Sequence, residues 1–334
     1  MKIIIDAYGG DNAPEAIIKG CVSALAERSG FDIVLVGKES GINAVLQGLT
    51  YNADRLTVVN AEEVIDCDEQ PTDAIRKKPD SSIVRAVKLL GEDENAKAFV
   101  SAGSTGAVLT AAILLTKRVK GVARPALAPT FPTLAGGEVM LLDCGANVDC
   151  KPEYLRQFAV MGSVYMKEVM GVKDPRVALL SNGTEEKKGC ALTKEAFALL
   201  KDCKEVNFVG NMEAREILSG DYDVVVADGF AGNIALKSIE GTVKCIFTAL
   251  KREIKSSKKS MLGAMLMKKS FINLKNMLDY NKKGGAVLLG TEKVVVKAHG
   301  ASGEEAFKNA VLQAYSAANM QINQKLAEKL TMAE

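Results

Sequence analysis

The chain is 334 residues long, 48% hydrophobic and 25% charged, with a formal net charge of +2. That length allows one large α/β domain or two lobes around a sizeable core, and so even a charge balance points to no polyanionic partner such as nucleic acid. Seven cysteines without a C-x-x-C pair, and His299 as the single histidine, fit free thiols in a reducing cytoplasm; they argue against a disulfide framework or structural zinc and rule out a multi-histidine metal centre.

The first strand-like run, KIII, follows Met1 directly and stops at Asp6, so no secretory leader is predicted. It opens into the loop DAYGGDNAP (6–14). DIVLV before Gly37 and LTVV before Asn60 come next, then AFV before Ser101 and the loop SAGSTGA (101–107). Ala107 to Leu115 is apolar but too short to span a bilayer, and is predicted to be a buried helix. VMLL runs into DCGANVDCKPEYL (143–155), which feeds a helical pattern from Tyr154 to Met170. VALL precedes SNGTEEKKG (181–189), VNFV precedes Gly210, and DVVVA precedes DGFAGN (228–233). A second helical pattern runs from Val243 to Ile254, and VVVKA ends at HGASG (299–303). Continuous rather than alternating apolar runs imply strands covered on both faces. With helical crossovers between them, the prediction is a doubly wound, mostly parallel sheet in an α/β/α sandwich, with ligands beyond the carboxyl ends of the strands.

One segment departs from the average. Residues 251–283 carry ten Lys/Arg against two acids, a net of +8, which leaves −6 for the rest of the chain. Within it, Met261, Leu262, Met265 and Leu266 are flanked by Lys258, Lys259, Lys268 and Lys269. The pattern predicts a protruding basic amphipathic helical hairpin. Its apolar stripe could pack on the protein or a second subunit, or touch an anionic membrane surface or an acidic partner. Otherwise residues 1–334 show no clean domain boundary and are taken as one two-lobed catalytic domain, with 251–283 inserted in it.

Each strand-end loop combines glycine with small hydroxyl, amide or charged residues. Glycine lets backbone N–H groups approach an anion, and a helix N-terminus behind the loop adds a favourable dipole. Such turns are common in α/β proteins; six at strand ends are expected to converge on one cleft. Neither G-x-x-x-x-G-K-[ST] nor G-x-G-x-x-G with its downstream acid is present, so a classical ATP or NAD site is not predicted.

Taken with RPALAPTFP (124–132) and the GGAVLLG and AHGASG tail, these motifs closely resemble the PlsX family, the phosphate acyltransferases of bacterial phospholipid synthesis. They stand in family order from residue 6 to about residue 303; Tyr8 replaces a usual methionine and Ser104 a usual asparagine. The resemblance implies transfer of a long-chain acyl group from acyl carrier protein to inorganic phosphate, without nucleotide, metal or bound cofactor. It also implies a fold related to phosphotransacetylases and isopropylmalate-type dehydrogenases, a homodimer, and a cytoplasmic enzyme held peripherally at the membrane.

That chemistry needs a phosphate pocket, oxyanion stabilisation and an exit for a thiolate. Phosphate is already anionic and a thiol leaves readily, so positioning and electrostatics dominate over acid–base work. Lys188 and Asn233 are the expected catalytic residues, Asn233 reading equally as a helix N-cap. Lys237, one turn beyond Asn233, joins Gly9, Gly10, Ser104, Thr105, Gly106, Asn147, Gly232 and His299 as expected substrate contacts. Bare carboxylates would repel phosphate, so Asp6, Asp11, Asp143, Asp149 and Asp228 are expected to cap helices, pin loops or orient lysines. The rivals are a covalent acyl-cysteine enzyme using Cys144 or Cys150 with His299, a nicotinamide-dependent dehydrogenase of related fold, and a non-enzymatic membrane scaffold.

Overall fold

The computed structural model describes residues 1–278 and 284–331. The first part of the chain runs β1 (Lys2–Asp6), α1 (Glu15–Glu27), β2 (Asp32–Gly37), α2 (Glu39–Leu46), β3 (Leu56–Asn60), α3 (Pro71–Lys77), α4 (Ser82–Glu92), β4 (Ala96–Ser101) and α5 (Thr105–Thr116). The middle runs β5 (Ala126–Ala128), β6 (Thr130–Pro132), β7 (Glu138–Leu142), α6 (Pro152–Glu168), β8 (Arg176–Ser181), α7 (Ala191–Lys201), β9 (Asn207–Glu213) and β10 (Val224–Val226). It closes with α8 (Gly229–Lys255), α9 (Lys258–Leu266), α10 (Lys268–Leu278), β11 (Ala286–Leu289), β12 (Val294–Lys297), α11 (Glu304–Asn319) and α12 (Ile322–Thr331).

The α/β architecture and the predominance of parallel pairing are as predicted, but the strands divide between two sheets. Among the described residues, one sheet has the order β3-β2-β1-β4-β12-β11-β5 and the other β6-β7-β10-β8-β9. Only β11, with its two neighbours, and the β6–β7 edge pair are antiparallel. The chain passes between the sheets at Pro129, which has no N–H to offer a ladder and whose carbonyl accepts from Leu141 N at 3.1 Å.

Strand period puts alternate residues on opposite faces. Ile3 and Ile5 belong to one core cluster, Ile4 to a second; Val224 and Val226 belong to the first, Val225 to a third. The first cluster therefore runs under both sheets and takes in α1, α6 and α11. Helices α4 and α5 cover the outer face of the first sheet, and the start of α8 that of the second. The predicted helix from Ala107 is α5, with Ala107, Val108, Ala111 and Ala112 buried.

The helical pattern at Val243 proves to be the outer half of α8, which is 27 residues long. Beyond it α9 and α10 carry the basic stretch; residues 279–283 of that stretch lie outside the described residues. No residue of α9 is buried, and Met261, Leu262, Met265 and Leu266 are 53–83% exposed. No helix among the described residues is long and apolar enough to cross a membrane.

Candidate active site

The carboxyl ends of β1, β4 and β12 meet in the first sheet. Asp6 ends β1 fully buried, accepting from Ser101 Oγ at 2.6 Å and Tyr8 N at 3.2 Å. Burial pushes its carboxyl above the ordinary carboxylate range, against these hydrogen bonds and the charge of Lys297. Gly9 packs on Asp6 and Gly103, and Gly10 holds a φ of 97° against the Gly300 carbonyl, a conformation that side chains resist. Asp11 is exposed, its N–H donating to Gly300 O at 2.8 Å. Ser104 is the N-cap of α5, with a long 3.5 Å bond from Ala107 N; Thr105 is exposed, and Gly106 lies against Pro71.

A cavity of about 180 Å³ opens at these strand ends, its wall including Thr105, Lys237, Glu240, Lys297 and His299. Lys237 is 58% exposed and pairs with Glu240 at 2.8 Å. His299 accepts from Ala301 N at 3.2 Å through Nδ1, which assigns the remaining ring proton to Nε2 when the ring is neutral. Desolvation lowers its pKa, with Lys237 and Lys297 adding to the shift and Glu240 and Asp11 opposing it. Lys297, absent from the sequence expectations, is buried in the same wall, and its Nζ donates to the carbonyls of Ala298 and Ala102. Desolvation lowers its pKa to about 8.

The second sheet treats the same kind of strand end differently. Asp143, following β7, is fully buried and accepts from Leu127 N (2.8 Å), Ala146 N (3.1 Å), Asn147 N (2.6 Å) and Asn147 Nδ2 (2.9 Å). Desolvation still raises its pKa. Asn147 gives its other amide proton to Pro125 O at 2.7 Å, so both are committed within the fold and the side chain braces the loop. Asp149 is exposed.

At α8 the cap is Asp228, whose Oδ1 accepts from Phe230 N and Ala231 N at 3.0 and 2.9 Å. The N-cap alternative for Asn233 is thereby corrected. Asn233 lies inside the helix, exposed, with its amide near Gly145. Gly232 is buried where a Cβ would come 2.0 Å from the Asp143 carbonyl, so close packing of α8 on that loop explains it without a ligand.

Lys188 is exposed on the loop after β8, its stem against Gly183. That loop borders a groove of about 830 Å³, walled by Leu180, Ile217, Leu218, Phe230, Ile234 and Ile239 among others. Phe230, Ile234 and Ser238 of α8 line this groove, whereas Leu236, Lys237 and Glu240 line the cavity at the ends of β1, β4 and β12. The expected single cleft is thus divided by α8: the β1, β4 and β12 loops share one side with Lys237, and the β8 loop lies on the other.

The thiols considered as nucleophiles are poorly placed. Cys144 is buried, its Sγ donating to Leu141 O, and desolvation raises its pKa well above the ordinary thiol value. Cys150 is pushed up to about 11, again mainly by desolvation. Such thiols stay protonated near neutrality. Among the described residues, no group of three or more His, Cys, Asp or Glu could hold a metal ion.

A family model described as fatty acid synthesis protein matches residues 1–325. A putative phosphate acyltransferase of Clostridium perfringens is 46% identical over 331 residues, 99% of this chain and 97% of that one. The phosphate acyltransferase of Dictyoglomus turgidum is 46% identical over 330 residues, 99% of this chain and 98% of that one. Among solved structures, a phosphotransacetylase of Streptococcus pyogenes is similar with a TM-score of 0.62 at 18% identity, covering 96% of this chain and 94% of that one; the likeness is one of fold. Motif order, full-length identity and fold agree: the chain belongs to the fatty acid synthesis protein family, the PlsX family that its loops resemble.

Proposed function

We propose that this chain moves a long-chain fatty acyl group from the phosphopantetheine thioester of acyl carrier protein to inorganic phosphate. The observation that carries the reading is the 46% identity, over 99% of the chain, to proteins named phosphate acyltransferase. A phosphate oxygen attacks the thioester carbonyl, the tetrahedral oxyanion collapses, and the C–S bond breaks to give acyl phosphate and the carrier thiolate, which takes a proton from solvent. Asn233 supplies an amide donor to the oxyanion, Thr105, Lys237 and His299 line the phosphate side, and Lys188 contributes its charge from the β8 loop across the first turns of α8. That Asp228 performs the capping supports this role, since Asn233 keeps its amide for a ligand. The raised pKa values of Cys144 and Cys150 weigh against an acyl-cysteine intermediate.

The working form proposed is a cytoplasmic homodimer resting on the membrane surface. The exposed Met261, Leu262, Met265 and Leu266, ringed by Lys258, Lys259, Lys268 and Lys269, suit an anionic lipid surface, and the basic charge nearby suits an acidic carrier protein. Acyl phosphate formation from acyl carrier protein thioester, assayed with and without phosphate, tests the reaction; carrier release independent of phosphate would overturn it. Deleting residues 261–271 tests the surface role, with loss of liposome co-sedimentation expected and unchanged co-sedimentation against it.

A further inference from the structure

We infer that Lys297 is a phosphate-binding residue of the cleft, giving a phosphate oxygen the N–H that its two backbone carbonyl partners leave over. The inference rests on the phosphate-transfer reading above and adds to it a residue that no loop motif marks.

Lysine is seldom fully buried without a counter-charge, because removing an ammonium from water is costly unless it is paired and hydrogen-bonded. Lys297 is only 7% exposed, yet among the described residues it belongs to no ion pair. Its Nζ donates to Ala298 O and, at 3.4 Å, to Ala102 O. An ammonium has three donors, so one remains. The nearby carboxylate, Asp6, is itself held by Ser101 Oγ and Tyr8 N.

The surroundings fit an anion. Lys297 lines the 180 Å³ cavity with Thr105, the first residue of α5, and with Lys237 and His299. Lys237 is solvated and tied to Glu240, whereas the charge of Lys297 acts from a dry wall, where each interaction is less screened. The charged and titratable groups that bear on Lys297 are Asp6 on β1, Asp11 in the following loop, Cys67 between β3 and α3, and Lys237 on α8; Glu240 and His299 share the cavity. Phosphate bound there supplies the missing counter-charge and raises the affinity of the amine for its proton.

The test uses Lys297→Met, which keeps the stem, and Lys297→Arg, which keeps the charge. For Lys297→Met the KM for phosphate and the Kd for inorganic phosphate by calorimetry rise about 10- to 100-fold, the acyl-donor KM is unmoved, and Lys297→Arg recovers part of the loss. A phosphate Kd within about twofold of wild type, or a fall in kcat and melting temperature with phosphate KM unchanged, overturns the inference and leaves Lys297 a tie between β12 and the β4 loop. Should Lys297→Met fail to fold, NMR of 13C-lysine-labelled wild-type protein decides. The lysine titrating near 8 moves to higher pH when inorganic phosphate saturates the protein; phosphate binding without that movement rejects the role. Wild-type protein that neither binds phosphate nor forms acyl phosphate rejects the functional reading itself, a separate result.

Discussion

Asp6 and Asp143 stand at matching places in the two sheets, at or just past the end of a parallel strand, and both are fully buried. Their surroundings differ in what is left over. Asp143 receives four hydrogen bonds, two of them from Asn147, and closes its loop on itself. Asp6 receives hydrogen bonds from Ser101 and Tyr8 while a buried ammonium lies close enough to influence it. One strand end is a finished knot, and the other keeps donors for something that arrives later.

Removing the knot has the largest expected effect. Asp143→Ala orphans four donors, Leu127 N–H buried and the others half-buried, and should lower stability by about 3–5 kcal/mol, read from urea unfolding. Asp6→Ala should lose less; equal losses would break the contrast. Next in size, Lys188→Ala and Asn233→Ala should each reduce kcat about 100-fold or more with an unshifted urea midpoint. If both variants turn over normally, neither side of α8 holds the catalytic group assigned to it.

The contrast can also be sharpened by pH. Lys297 titrates near 8 when folded and near 10.5 when unfolded, so between those values the unfolded chain holds a proton that the native state has released. Stability of the wild type relative to Lys297→Met should therefore rise from pH 8 towards 10.5, and its disadvantage should be fully present below pH 8. Parallel stability curves for the two proteins would remove Lys297 from the argument. Asp228→Ala is the mildest change, about 1 kcal/mol for a lost helix cap.

The strands were legible because continuous apolar runs such as KIII and VMLL have no other economical reading. Their partition was not: such runs report burial on both faces but say nothing about neighbours. The strands overlooked, β5, β6 and β11, are three or four residues long, and Pro129 interrupts the first two. Within the site, DGFAGN offered two capping residues, and only the observed start of α8 distinguishes Asp228 from Asn233. Asn147 read as a ligand because its partner, the Pro125 carbonyl, lies 22 residues away. Lys297 read as the polar end of VVVKA; its burial arises from strands and loops far along the chain. No local pattern could announce it.

Helix α8 has a mechanical consequence. Its 27 residues rise about 40 Å, from the turn that carries Asn233 to the basic tip. A tilt of about 5° pivoting at Gly229 would displace the far end by about 3.5 Å. Asn233 and Lys237 lie close to this pivot, and the methionines and leucines of α9 ride beyond the far end of the arm. Whatever surface the tip settles on therefore has leverage over the angle at which the first turns of α8 meet the strand ends.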